Sequence, residues 1–285
     1  MANFTEVGLD LQNTVKRIYQ NIIYRSTFYK MLNDSYIGEL RNAGTPMIEV
    51  LKSKDVTVNV RETKELQSAL TPSLMGYDRV KVDLTELPMD YSIRIPILVT
   101  GSGIANALDS ALQKKDSAVA KKIDTYGFKK LADNTDIVEK EWNPSTKEAY
   151  IDTLNSLSAD MFNNDVYDIY RMGLSATEYA KYVSALTSVL KYETMAGVEG
   201  VDRGIIARAY GVDAFQINDS VLGTGINGYF FNPMAVVGDA FFDAFVQHVS
   251  PQGWPGYFIF EGNVLFGAEV VEPKAIFRLV DEISG

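Results

Sequence analysis

The sequence predicts an α+β fold, and three observations predict it. Apolar residues alternate with polar ones over 56–61, 80–84 and 93–97, the period of half-buried strands. One helical period runs from 104 to about 134 without a turn signal. Beyond 145 the pattern mixes two capped helices with short apolar strands and shows no repeat of the length a solenoid or propeller needs. The 285 residues suffice, at roughly 150 per domain, for two domains or one elaborate one. They can bury a core without disulfide or metal staples.

Residues 1–45 read as a helical arm. Leu11, Val15, Ile18 and Ile22 form one narrow apolar stripe, with Tyr19 and Tyr24 outside it. Tyr29 and Tyr36 rejoin the stripe if the helix continues, and Gly44 with Pro46 ends the arm. Such a helix either docks on its own domain or reaches a neighbour; docking is the simpler reading. Val56, Val58 and Val60 then make one strand, Val80, Val82 and Leu84 a second, and Ile93, Ile95 and Ile97 a third, where Pro96 marks an edge or bulge. The stretch 62–78 is too long for a tight turn, and a long two-stranded excursion cannot cover its own faces.

In the long helix Ile104, Leu108, Leu112, Val119, Ile123 and Tyr126 share a stripe. At 1.5 Å per residue it spans on the order of 45 Å. Lys114 and Lys121 project opposite the stripe, and Lys115, Lys122 and Lys129 flank it. They read as a solvated face, with a basic face towards nucleic acid as the other reading. Ser145 with Glu148 and Ser175 with Glu178 are capping-box patterns. The first opens a helix with Tyr150, Leu154, Leu157 and Met161 on one side. The second opens one with Tyr179, Tyr182, Leu186 and Val189. A short strand is expected at 166–172. Further strands are expected around Ile205 to Ala209, over 212–217, 229–237 and 257–271, and at the end over 275–280. Phe241, Phe242 and Phe245 fit helix or strand equally.

Composition removes several chemistries. There is no cysteine, so disulfide frameworks, thiolate zinc, iron–sulfur clusters and cysteine nucleophiles are excluded. The single histidine, His248, leaves transition-metal catalysis short of ligands, and no Gly-x-Ser-x-Gly elbow occurs. Gly101-Ser102-Gly103 opens a helix but lacks the third glycine and the second strand of a dinucleotide unit. The six-residue run from Gly223 to Gly228 is followed by a strand and reads as a flexible hairpin loop. Asp160, Asp165 and Asp168 offer carboxylates in proximity, which any acidic chain does. The net charge of −10 disfavours a large phosphate-gripping surface. No signal peptide or membrane-spanning helix is expected. The sequence therefore predicts no enzyme, no catalytic, cofactor-binding or metal site, and no cofactor.

The order arm, long excursion, long helix and compact mixed region resembles the major capsid proteins of tailed bacteriophages, the Hong Kong-type capsid fold shared with encapsulins. The resemblance runs along nearly the whole chain. Its most specific stretches are Asp168-Ile169-Tyr170-Arg171-Met172-Gly173-Leu174-Ser175, Ala209-Tyr210-Gly211-Val212-Asp213-Ala214-Phe215-Gln216-Ile217, Phe230-Phe231-Asn232-Pro233-Met234-Ala235-Val236-Val237, and the closing segment from Val264 to Ile276. It implies an N-terminal arm over 1–45 and a peripheral domain over 46–145. That domain would carry an extended β-hairpin loop at about 56–86 and a spine helix at about 104–134. An axial domain would follow over 146–250, and a closing hairpin and strand over 251–285 would return to the peripheral domain. Only about 45 residues precede the loop, so the long scaffolding segment some members carry is not expected here.

The implied function is that of a structural subunit of an icosahedral virus capsid. Subunits would self-assemble into pentamers and hexamers around a double-stranded DNA genome, enclosed without sequence-specific binding. The implied partners are the chain itself and, as the resemblance allows, scaffolding, portal and decoration proteins, with no membrane. The implied place is the virion, after assembly in the host cytoplasm. Each extended loop would lie across a neighbour and each arm beneath one, with Leu66, Leu70, Leu74 and Met75 as candidate apolar anchors between subunits. The alternatives are an encapsulin-like compartment shell and, from another class, a soluble carboxylate-dependent enzyme.

Overall fold

Three sheets share out the strands of the described residues. The structure, a computed structural model, describes residues 11–33, 47–53, 77–96, 102–167, 170–186, 207–209, 212–249, 252 and 256–282. The chain opens with α1 (Leu11–Arg25) and a 3₁₀ turn at Phe28–Met31, then pairs β1 (Met47–Ser53) with β2 (Tyr77–Asp83) as an antiparallel ribbon. A 3₁₀ turn at Leu84–Glu86 leads to β3 (Leu87–Pro96), followed by the long helix α2 (Ser102–Asp133) and β4 (Val138–Glu141). Helix α3 (Lys147–Asn163), β5 (Tyr170–Ser175) and α4 (Ala176–Leu186) come next, and then β6 (Ala207–Ala209), β7 (Val212–Ile217), β8 (Ile226–Phe231), β9 (Val236–Val249), β10 (Tyr257–Val270) and β11 (Ile276–Val280). One sheet has the order β3-β10-β9; the larger has the order β4-β11-β8-β5-β7-β6. In the larger sheet β5/β7 and β4/β11 are parallel and the other pairs antiparallel.

The local chemistry explains the element ends. Thr146 caps α3, its side chain accepting from the Ala149 N–H; the cap is therefore one residue beyond Ser145, and Glu148 falls in the first turn, where it complements the helix dipole. At the other end Val166 N–H donates to the Met161 carbonyl at 3.0 Å and Asp165 N–H to that of Phe162 at 3.1 Å. Asp165 has φ 60°. This is a Schellman closure, sealed by the buried pair Met161 and Val166. Val166 thus ends the helix instead of opening a strand, and β5 starts at Tyr170. Ser175 Oγ accepts from the Glu178 N–H at 3.2 Å, the second expected cap.

Other expectations shift for non-local reasons. α1 stops at Arg25 because Ser26 turns the chain inward, and Tyr19 is buried with the Ile18–Ile22 stripe. The partner of β2 is β1; Val56, Val58 and Val60 lie outside the described residues. Phe241, Phe242 and Phe245 are on a strand, β9. The glycine run is no hairpin loop, since β5 separates β7 from β8. Its last residue, Gly228, lies so close to β5 that a Cβ would stand 2.1 Å from the Gly173 carbonyl oxygen. Pro96 ends an edge strand, as expected. In the closing segment β10 pairs with β3, whereas β11 sits between β4 and β8. Ile276, Phe277, Leu279 and Val280 are all buried, which suits a strand covered on both faces.

One apolar core runs from α1 through α2 to the large sheet. A second, small cluster of Ile48, Val50, Val82, Leu84 and Val237 fastens the β1–β2 ribbon to β9. Gly267 of β10 makes that junction possible, because a Cβ there would lie 2.0 Å from the Asp83 carbonyl oxygen. Gly267→Ala must push backbone from backbone. The expected loss is about 1–3 kcal/mol, typical of overpacking, read as a lower midpoint in urea unfolding; an unchanged midpoint would show that the ribbon root is not packed this closely.

Candidate assembly surface

Three aspartates in the interior hold elements together. Asp116 of α2 accepts from Tyr91 Oη at 2.6 Å and from Asn21 Nδ2 at 2.9 Å. Asp124, two turns on, accepts from Ser26 Oγ at 2.6 Å and from the Phe28 N–H at 2.9 Å. Asp239 of β9 accepts from Tyr19 Oη at 2.9 Å and Tyr29 Oη at 3.3 Å. All three aspartates are buried. Outside them Arg17 pairs with Asp109 at 2.6 Å, and Arg25 donates to the Gln113 carbonyl at 2.8 Å and to Ser117 Oγ. Residues 17–29 are thus bolted to the body of their own chain. For this part of the arm the apolar face is covered within the subunit, as the docked reading expects.

A second set joins the other elements. Lys130 bridges Glu86 at 2.9 Å and Glu269 at 2.5 Å, with Tyr126 also donating to Glu86. Burial alone would lower Lys130, but its hydrogen bonds to Glu269 and Glu86 prevail and raise it. Burial and the Glu86 bond push the Tyr126 phenol up to about 12. Arg278 donates to the carbonyls of Leu131, Ala132 and Asn134 and pairs with Glu139 at 2.9 Å. It thereby closes the C-terminal end of α2 against the large sheet.

The remaining candidates do not converge. His248 Nε2 lies 3.2 Å from Glu261 Oε1 on exposed strand surface. Asp160 pairs with Lys140 at 2.6 Å, Asp165 accepts from Tyr167 Oη at 3.0 Å, and Asp168 lies outside the described residues. Among the described residues no three His, Asp or Glu side chains gather as a metal site, and no helix is long and apolar enough to cross a membrane. A cleft of about 520 Å³ near the end of α2 is lined by Glu139, Arg278 and Asp281 together with Gly223 to Ile226. Both terminal nitrogens of Arg278 already have partners there.

What remains is surface. Leu66, Leu70, Leu74 and Met75 lie outside the described residues, in the 54–76 connection between β1 and β2. On the ribbon that carries that connection Met47 and Leu51 of β1 are exposed, while Ile48 and Val50 face the core. A second apolar patch, which the sequence reading missed, gathers Phe162, Tyr167 and Met234, 59%, 52% and 63% exposed. The Phe162 and Tyr167 rings meet edge-on at 5.1 Å. Asn232 ties the patch together, donating to the Tyr167 carbonyl and accepting from the Met234 N–H. The buried aspartates were missed too. Their signal was present, since Asp116 and Asp124 fall on the apolar side of α2 beside Leu112, Val119 and Ile123.

No family model matches the chain, and no curated protein matches it by sequence. Solved structures do. One from Mycobacterium phage Che8 has a TM-score of 0.57 at 16% identity, covering 89% of this chain and 90% of that one. The capsid structure of cyanophage P-SCSP1u gives 0.56 at 14% identity, with 84% of each chain covered. A virus-like particle from Pyrococcus furiosus gives 0.52 at 12%, with 93% of this chain and 98% of that one. The chain therefore has the fold found in phage capsids, α+β as the sequence predicts.

The arm's anchors carry a pH signature. Burial raises the Asp116 and Asp124 carboxyls above the ordinary 3.8, against the hydrogen bonds that lower them. The native state then holds these protons more tightly than the unfolded chain. Their stabilising contribution is complete below the free-carboxylate value and is lost as pH rises through the raised native one. In Asp116→Asn the amide stands in for the protonated acid, and Asn21 turns over to accept from it. The variant should gain stability relative to the native protein as pH rises from the acid to the neutral range. Urea midpoints at a series of pH values check this; a pH-independent difference would show that Asp116 titrates alike folded and unfolded.

Proposed function

We propose that the chain is a structural subunit of an icosahedral virus capsid, self-assembling into pentamers and hexamers that enclose a double-stranded DNA genome. The observation that carries this reading is the likeness to phage capsid structures over 84–90% of the chain. The interior supports it, since the ionisable side chains described above serve docking and ion pairing between elements. The subunit's work is binding, not chemistry. Leu66, Leu70, Leu74 and Met75 are the proposed anchors on a neighbour, in the connection carried by the β1–β2 ribbon, where Met47 and Leu51 are exposed. The proposed place is the virion, following assembly in the host cytoplasm, with scaffolding, portal and decoration proteins as further proposed partners. Specific interfaces bury on the order of 1,600 Å² each, and repetition around a closed lattice turns modest contacts into strong assembly.

A second reading, an encapsulin-like compartment shell, is favoured by the likeness to the Pyrococcus furiosus particle. Nuclease-protected DNA inside purified particles separates the two. The first measurement is particle mass: the full chain should form shells many times the 31.6 kDa subunit. Deleting 62–75 leaves β1 and β2 whole and removes all four anchors. It should give folded subunits or small oligomers in place of shells, by light scattering and negative-stain microscopy. Complete shells from the deletion variant would remove the anchoring role, and a full-length chain that stays monomeric when concentrated would remove the capsid reading.

A further inference from the structure

Helix α2 carries six lysines and four aspartates, yet its solvent face is almost purely basic. Asp116 and Asp124 are buried, and Asp109 is paired with Arg17. Asp133 lies at the extreme C-terminal end. Lys130 is taken up by Glu86 and Glu269. The five others remain: Lys114, Lys121, Lys122 and Lys129 are exposed and Lys115 is half-buried, and none forms an ion pair among the described residues. Their spacing is regular. Lys115, Lys122 and Lys129 recur every seven residues, and Lys114 and Lys121 run beside them. Seven residues are nearly two helical turns, so both rows keep one side of the helix over about 22 Å. Exposed Arg25, held on Gln113 and Ser117, adds its charge at the same edge.

We infer that this lysine face of α2 binds the phosphate backbone of double-stranded DNA, without reading its sequence. The inference rests on the capsid reading for its biological setting and deepens it by naming the surface that meets the enclosed genome. Duplex DNA presents one negative charge per about 1.7 Å of its axis, so a 22 Å row of cations faces many phosphates at once. Lysine acts there as a point charge, which holds a backbone but specifies no base. The rest of the molecule gives direction. A chain of net charge −10 repels DNA over most of its surface, so the basic face orients the subunit towards it.

The test uses the purified full-length chain as unassembled subunits, separated from any shells by gel filtration, and a short duplex DNA of arbitrary sequence, followed by fluorescence anisotropy across a salt series. The triple variant Lys114→Ala, Lys121→Ala, Lys122→Ala should bind more weakly, with a salt slope shallower by roughly one unit per lysine removed. Lys274→Ala, at the turn before β11, is the matched control and should bind as the native chain does. Circular dichroism checks that α2 persists in the variant. Absence of DNA binding by the native chain, or equal affinity and slope in the triple variant, overturns the inference. Particle mass is then measured on the same preparations after assembly, with DNA affinity already read on the subunits. Shells that form without DNA affinity sink the basic face and leave the capsid reading standing. DNA affinity without shells does the reverse.

Discussion

A carboxylate removed from water must recover its hydration from the protein, and that requirement fixes how the N-terminal segment sits. Asp116, Asp124 and Asp239 lie on two different elements, α2 and β9, and draw their donors from residues 19–29 and from Tyr91. Each donor that leaves exposes an interior acceptor, at a cost of about 1–3 kcal/mol. The hydrogen bonds are therefore directional in a way that the surrounding apolar contacts are not. Ile18, Ile22 and Phe28 would be content in several orientations; Ser26 and Tyr29 have one. With the arm seated, α2 gains a buried side along its length, β9 and β3 are drawn to it, and the three-stranded sheet has a floor.

The same arrangement sorts charge. Burying the acids of α2 removes negative charge from its surface without adding a positive residue, so a helix that looks balanced in composition becomes polar in cross-section. Salt bridges at the surface would do little of this, being weak and screened. The sorting follows from folding, and a charge count along the sequence cannot show it.

What the sequence made legible was local. The period of α2, the Ser175 cap, the alternation in β2 and β3 and the order of elements follow from neighbours a few residues apart, and they sufficed for the fold class. What stayed hidden was pairing at a distance. Nothing near Met47 says that it starts the partner of β2, 30 residues on. Nothing near Ile276 says that β11 belongs between β4 and β8. The Schellman closure at Asp165 escaped because an aspartate stands where glycine is usual. Of the candidate site, the four anchors lie outside the described residues, while the Phe162–Tyr167–Met234 patch depends on Asn232 bringing two distant turns together. Asp116 and Asp124 could have been found, since acids on the apolar side of a helix call for buried donors.

The proposed anchoring through 62–75 calls for a stiff base. A loose ribbon loses on binding the freedom it had when alone, and that entropy opposes every contact its tip makes. Here the ribbon root is held three ways: by the Ile48–Val50–Val82–Val237 cluster, by the close backbone approach at Gly267, and by the Lys130 bridge from Glu86 to Glu269. The last is notable for its reach, because Lys130 belongs to α2, Glu86 to the turn after β2 and Glu269 to β10. One side chain thus ties the ribbon, the long helix and the three-stranded sheet into a single body. Whatever affinity the proposed 62–75 anchors provide is then spent little on ordering the ribbon that presents them.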